Sequence, residues 1–339
     1  MDHFILGIET SCDETAAAVV KNGTELLSNI ISSQVNVHNI YGGVVPEIAS
    51  RMHTEIIIQI INEALKEANL DFDSIDAIAV TQGPGLIGSL MVGISTAKTL
   101  AFSLNKPLVG VNHLEAHISA IHLENEVEFP FVALIVSGGH TNLYYIKDYL
   151  DFELLGNTRD DAAGEAFDKG AKVLNLGYPG GVQIDKLSKK GDSSKIKFPR
   201  PLNDKSLNFS FSGIKTALIN YLSKNKVEDD QHLHDICASY QEAITETLIK
   251  KILNAVDQYG VERVVICGGV ACNSRLRELS KEKIEQKGIE VYIPSPVLCT
   301  DNAAMIAGLG CYMYRENIIS NLHMSPFSTT KMNPRDYAS

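Results

Sequence analysis

No apolar run among the 339 residues reaches the ~20 that a membrane-spanning helix needs, so no membrane is expected as a partner. The opening residues, "MDHFILGIETS", have no basic n-region and no A-x-A-like cleavage site. A signal peptide is therefore not expected, and the stretch reads as a first strand. Cysteine is scarce and scattered, at 12, 237, 267, 272, 299 and 311, with no Cys-x-x-Cys pair. Such thiols are expected to stay reduced, which makes the cytoplasm the expected compartment. Positive charge is also in short supply. The 30 Lys and Arg stand against 41 Asp and Glu, a net charge of −11, which argues against broad non-specific nucleic-acid binding but not against a local basic patch.

What is present is an alternation of strand, turn and helix signals, so the class is α/β. Hydrophobic residues make up 45% of the chain, ample for a packed interior, and the length suits two lobes. Strands are expected over 4–11 and 15–23, and a helix over 44–70, where Pro46 stands near the start. Ile48, Met52, Ile56, Ile60 and Leu65 recur there at helical spacing. "DAIAVT" (76–81) is a buried strand, followed by the loop "QGPGLIGS" (82–89) and an apolar helix to about 104. The strand "PLVGVN" then leads to a histidine-bearing helix. A second start resembles the first: 130–148 is again strand, small-residue turn, strand. A helical region with loops (160–225), a long helix (about 230–259), a strand–turn–helix (262–279), the strand "VYIPSP" and a small-residue helix (300–314) complete the chain. Two similar openings suggest a duplication with a ligand between the lobes.

The chemistry begins with "VNHLEAHI" (111–118). On an α-helix, positions i and i+4 lie about 40° apart, so His113 and His117 can share one ion. Glu115, two positions on and roughly 200° around, points away. The zinc-protease signature places its glutamate directly after the first histidine, and "HLEAH" does not match. Taken alone, this spacing is as often two surface histidines as a metal site. Asp301, in "CTDNAAM" at a helix start, offers a third ligand, or else a simple cap. Two imidazoles and one carboxylate would leave open positions on a metal.

The turns "VSGGHT" (136–141) and "CGGVACN" (267–273) each present backbone N–H groups without bulky side chains, as a phosphate or nucleotide site requires. A lone Gly-Gly turn usually means tight packing. Neither these nor "GIETSCDET" (7–15) is a Walker A or G-x-G-x-x-G motif. The last stretch gathers Glu9, Asp13 and Glu14 around hydroxyl residues and Cys12, and Asp13 is the candidate for polarising a nucleophile. Asp168 and Asp185, flanking a Tyr-Pro-Gly-Gly turn, suit either ribose hydroxyls or surface ion pairs. Residues 186–205 hold seven basic residues, two acids and Phe198. Such a run can steer a polyanion, although a solvated loop is its commoner cause.

Taken together, "GIETSCDETAAAVV", "GGVVPEIASRMH", "QGPGLIGSLMVGISTAK", "VNHLEAHI", "VSGGHTNL", "GEAFDKGAKVLNLGYPGG", "NFSFSGIKTA", "CGGVACNSRLR" and "TDNAAMIAGLG" resemble the bacterial-type tRNA N(6)-adenosine threonylcarbamoyltransferase family, over about residues 4–330. That family was formerly labelled a glycoprotease. The resemblance implies a two-lobed fold of the actin, sugar kinase and Hsp70 kind, with duplicated cores and a nucleotide cleft. It implies an N-terminal lobe over 1–112, rejoined by 325–339, and a C-terminal lobe over 113–324 with a family insertion at about 151–225. It further implies transfer of a threonylcarbamoyl group from threonylcarbamoyl-adenylate to adenosine 37 of tRNAs reading codons that begin with adenine. A divalent metal, iron or zinc, would sit on His113, His117 and Asp301. The adenylate would sit on Ile135, Val136, Ser137, Gly138, Gly139, Asp168, Gly181, Asp185 and Asn273, and Asp13 with Glu14 would manage the attacking amine. The implied partners are tRNA, a shorter paralogous subunit on the N-terminal lobe and a small P-loop ATPase. A metalloendopeptidase and a non-catalytic ATP-binding regulator are the alternatives.

Overall fold

The structure, a computed structural model, describes residues 2–328. Among them are two five-stranded sheets. The first is built from β1 (Phe4–Glu9), β2 (Glu14–Lys21), β3 (Glu25–Ser33), β4 (Ala77–Gly83) and β5 (Leu108–Asn112), in the order β3-β2-β1-β4-β5. The second is built from β6 (Phe131–Val136), β7 (Thr141–Asp148), β8 (Asp151–Asn157), β9 (Arg263–Cys267) and β10 (Glu290–Tyr292), in the order β10-β9-β6-β7-β8. β1 pairs antiparallel with β2 and parallel with β4, and β6 pairs antiparallel with β7 and parallel with β9. The two sheets thus repeat one topology, which is the duplication expected from the similar openings. The strands β4 and β6, inside their sheets, and the edge strand β5 are buried along their whole length, and β6 reads as an unbroken apolar run, as a strand covered on both faces does. The edge strands β3 and β8 are mostly half-exposed or exposed, and their mixed composition gave no strand signal.

The chain folds as two compact units. One holds residues 2–127, 149–151 and 300–328, and the other holds 128–148 and 152–299. The histidine helix and residues 300–324, expected beyond a boundary at 112, therefore belong with the first sheet. The reason is close packing. The helix Ala303–Arg315 lies on β1, where a Cβ added to Gly7 would come 2.3 Å from the Ala303 carbonyl oxygen. Residues 325–328 also return to the first unit. There Gln82 Nε2 donates to the Ser325 carbonyl at 2.9 Å, and the Phe327 amide donates to the Gln82 carbonyl at 3.2 Å. Residues 329–339, expected to follow the same path, lie outside the described residues. The expected insertion forms part of the second unit and contains β8 and the helices Ala163–Val173, Gly180–Ser188 and Ser212–Lys224.

The helix Ile87–Leu104 has 18 residues and a mean hydropathy of 1.4, so by length and composition alone it could cross a membrane. Its buried Leu90, Ile94, Ala97 and Ala101 recur at helical spacing, and the helix packs on β4 and on the helix Pro46–Glu67. Core packing accounts for its apolar face. The glycines leading into it, Gly83, Gly85 and Gly88, do have G-x-G-x-x-G spacing. Their open sides are filled from within: an added Cβ would meet the Phe327 carbonyl oxygen at 2.2 Å from Gly83 and the Ser11 carbonyl oxygen at 2.7 Å from Gly85. These glycines serve chain packing and leave no room for a dinucleotide.

Candidate functional site

In the first unit, β5 ends at Asn112, whose side chain accepts hydrogen bonds from the Leu114 amide at 2.9 Å and the Glu115 amide at 3.3 Å. This cap starts the helix His113–Ser119 on the first histidine. Asp301 proves not to be the cap of the following helix. That role falls to Asn302, whose side chain accepts from the Met305 amide at 3.0 Å. Asp301 is thereby left to face the histidines. Its Oδ1 lies 3.1 Å from His117 Nε2 and 3.5 Å from His113 Nε2. One donor atom from each of the three residues falls within 4.8 Å of the others.

A fourth residue organises this group. Glu9, at the end of β1 and fully buried, places Oε2 3.0 Å from His113 Nδ1 and accepts from Thr81 Oγ1 at 2.7 Å. A carboxylate on Nδ1 holds a proton there and aims Nε2 at Asp301, the outer hydrogen bond that orients metal-ligating histidines. Burial opposes a charge on His113, yet the Asp301 and Glu9 carboxylates outweigh it and push its pKa up to about 9. Three convergent donors with one imidazole already oriented fit a divalent ion. Glu9 was visible in the sequence as an acid at a strand end, but nothing there paired it with His113, 104 positions away.

The acid turn adjoins this group. Asp13 is buried and Glu14 half-buried, with Ser33 Oγ donating to Glu14 Oε1 at 2.9 Å. Lost hydration first, then the charges of Asp301 and Asp13, push Glu14 up to about 9. Cys12 is pushed well above the usual thiol range by burial and then by Asp13, which removes it as a nucleophile. Glu115 lies outside the three-donor group, and burial alone pushes it up to about 8. His53 supports the turn and was not singled out from the sequence. It is fully buried, with Nδ1 2.7 Å from Thr15 Oγ1 and Nε2 3.0 Å from the Cys12 carbonyl. In the sequence it stands on the apolar stripe of a long helix and carries no motif of its own.

The second unit gathers the remaining predicted residues. Ile135 and Val136 end β6, and the Ser137 amide donates to the His140 carbonyl at 2.8 Å, closing the Gly138–Gly139 turn. A Cβ on Gly138 or Gly139 would meet nothing within 4 Å, so this turn, unlike residues 83–88, has an open side. The Gly164 amide donates to the Ser137 carbonyl at 3.1 Å, which brings the start of the helix Ala163–Val173 onto the turn. Asp168 Oδ1 accepts from the Gly180 amide at 2.8 Å, beside Gly181 and at the start of the helix Gly180–Ser188. Burial raises the Asp168 pKa against the pull of these amides. Asp185 Oδ1 accepts from Ser274 Oγ at 2.7 Å, and Asn273 caps the helix Ser274–Lys283. Gly268, at φ 90°, is forced by the Val136 carbonyl oxygen, which an added Cβ would meet at 2.5 Å. Hydrogen bonds and close approaches thus link four separate stretches of sequence, with open backbone turns and helix N-termini among them, the chemistry that holds an anion. Asp168 and Asp185 each already serve the fold through one carboxylate oxygen.

Three of the seven residues of the basic run are paired within the second unit. Lys189, Lys195 and Arg200 pair with Asp185, Asp192 and Glu246. Phe198 is buried against Tyr221 and Tyr240, so it anchors a loop and cannot stack on a base.

A repeated α/β sheet unit, with open glycine turns in one copy and a two-histidine, one-carboxylate group in the other, defines an α/β protein of the actin, sugar kinase and Hsp70 kind. The overall fold is similar to HypF from T. kodakarensis, with a TM-score of 0.64 and 16% identity over 93% of this chain and 48% of that one. It is likewise similar to component A of the Acidaminococcus fermentans (R)-2-hydroxyglutaryl-CoA dehydratase, with a TM-score of 0.54 and 17% identity over 93% and 99% of the two chains. At such identities these likenesses speak for the fold alone. The family model for tRNA N6-adenosine threonylcarbamoyltransferase matches residues 25–308. Proteins of that name from Geotalea uraniireducens and Clostridium beijerinckii are 58% and 51% identical, over 93% and 98% of both chains. The chain belongs to the tRNA N6-adenosine threonylcarbamoyltransferase family, and its activity is that of a tRNA-modifying transferase.

Proposed function

We propose that this chain moves a threonylcarbamoyl group from threonylcarbamoyl-adenylate to the exocyclic amine of adenosine 37, in tRNAs reading codons that begin with adenine, with release of AMP. The observation that carries this reading is the convergence of His113, His117 and Asp301 beside the Asp13–Glu14 turn, in a chain of this family.

The acceptor amine is a poor nucleophile because its lone pair is delocalised into the purine ring. The donor answers this with a mixed carbamic–phosphoric anhydride. The new N–C bond forms as the C–O bond to phosphate breaks, and the amine gives up one proton. Backbone amides of Gly138 and Gly139 in the open turn, with the positive ends of the helices Gly180–Ser188 and Ser274–Lys283, would hold the adenylate phosphate and stabilise its charge as it leaves. Asp13 would take the proton, and Glu14 beside it would help keep the amine oriented. Asp168, Asp185 and Asn273 would orient the nucleoside. A divalent ion, iron or zinc, on His113 Nε2, His117 Nε2 and Asp301 would supply Lewis-acid polarisation of a carbonyl.

The finer partner assignments belong to the same reading. Ile58, Met91 and Phe102, at 57%, 53% and 75% exposure on the helices Pro46–Glu67 and Ile87–Leu104, support docking of a shorter paralogous subunit on the first unit. A small P-loop ATPase would complete the assembly, and the cytoplasm would be its compartment. An endopeptidase needs a base directed at its metal, and Glu115 lies outside the donor group. A purely regulatory subunit has no use for the three donors, which this chain keeps.

The test is reconstitution of the chain with its partners, the donor adenylate and unmodified tRNA, with threonylcarbamoyladenosine measured by mass spectrometry. His113→Ala and Asp301→Ala should each lower transfer at least a hundredfold. Transfer at the wild-type rate in both variants would overturn the role given to the donor group.

A further inference from the structure

We infer that Cys272 and Cys299, two thiols of the second unit, form a reversible disulfide when a hydroperoxide reaches them. All six cysteines are free, but their settings differ: Cys12 and Cys272 are half-exposed and the other four are buried. The short helical turn Gly269–Cys272 packs against the helical turn Pro296–Cys299, so the two cysteines close facing turns. Arg277 clamps both segments. Its Nε donates to the Ala271 carbonyl at 2.8 Å, one residue before Cys272. Its Nη2 donates to the Pro294 carbonyl at 3.1 Å and lies 3.9 Å from Cys299 Sγ. The Cys299 thiol donates to the same Pro294 carbonyl at 3.3 Å. One guanidinium therefore holds together the two segments that carry Cys272 and Cys299.

The two sulfurs have different duties. The Cys299 thiol, against the pull of burial, and then Arg277 bring Cys272 down to about 7, so much of it is thiolate at neutral pH. Cys299 is buried, its thiol donating to the Pro294 carbonyl. The thiolate of Cys272 attacks one oxygen of the peroxide, the O–O bond breaks, and hydroxide leaves with a proton to become water. The resulting sulfenic acid is then displaced by the Cys299 sulfur. The S–S bond forms, the S–O bond breaks, and a second water departs. Two thiols lose two electrons and the peroxide gains them. The bridge would tie the residue before Asn273 to the segment that ends two residues before Asp301.

Treatment of the full chain with hydrogen peroxide, followed by intact-mass measurement and peptide mapping, tests the inference. The expected result is loss of two hydrogens per chain and one linked pair of peptides containing positions 272 and 299, restored by dithiothreitol. Cys299→Ser should stop the reaction at a Cys272 sulfenic acid, trapped as a dimedone adduct. Cys272→Ser should leave Cys299 unmodified at the same peroxide dose. Two results in the wild-type chain would each overturn the inference: both thiols still fully alkylated by iodoacetamide after peroxide, or Cys272 carried to the sulfinic acid with no link.

Discussion

Replacing Glu9 by Gln tests the metal centre at a residue that would not itself touch the ion. Glu9 Oε2 lies 3.0 Å from His113 Nδ1 and accepts from Thr81 Oγ1. A glutamine fills the same volume and can still accept with its carbonyl oxygen. It has lost the charge that anchors the Nδ1 proton, and its amide nitrogen repels that proton when turned toward the ring. The fixed aim of Nε2 at Asp301, 3.5 Å away, is then lost. The ring must be re-oriented before it can bind an ion. Loss of such an outer partner weakens metal binding about 10- to 100-fold, or roughly 1.4–2.8 kcal/mol. The assay is a zinc titration in competition with a chromophoric chelator, run beside urea denaturation of the metal-free proteins. Glu9→Gln should bind at least tenfold more weakly while its metal-free fold survives. Binding within twofold of wild type would refute the orienting role of Glu9. Equal loss of affinity and of metal-free stability would assign Glu9 to folding instead.

Three further outcomes follow from the same contacts. His113, Glu14 and Glu115 all bind protons more tightly in the folded, metal-free chain than their ordinary values of 6.5, 4.5 and 4.5. The stability linked to them is fully present below those ordinary values and is lost as pH rises through about 9 for His113 and Glu14 and about 8 for Glu115. Denaturant midpoints of chelator-treated protein should accordingly fall from pH 6 to pH 9, and zinc should bind more tightly over the same interval because it displaces the His113 proton. Gly7→Ala should cost about 1–3 kcal/mol by urea denaturation and also weaken zinc binding, since the new Cβ pushes on the helix that follows Asp301. Asp168→Ala removes the acceptor of the Gly180 amide, so it should lower stability by about 1 kcal/mol and raise KM for the donor adenylate more than it changes kcat.

Much of this was legible in the chain itself. The spacing of His113 and His117 needs only helical geometry to place both on one face, and the same geometry excluded Glu115. The buried strands β1, β4, β6 and β9 announced themselves because strands covered on both faces must be apolar throughout. The paired glycines marked the turn that is open beside β6. Other features have no local signal. The edge strands β3 and β8 compose themselves around solvent, and the letters G-x-G-x-x-G look the same whether their open side holds a nucleotide or Phe327.

The sequence by itself determined the α/β class, the family and the placing of two histidines on one helix face, because local periodicity and contiguous motifs carry that information. Only the tertiary structure decided the rest. Asn302 takes the cap and releases Asp301. Gly7 lets the Ala303–Arg315 helix come close enough to carry Asp301 to the histidines. Glu9 turns the His113 ring, and Arg277 holds together the segments that carry Cys272 and Cys299. Apart from the Asn302 cap, each of these rests on residues tens to hundreds of positions apart. A hydrogen bond or a close contact depends on distances of a few ångströms, which chain order does not record.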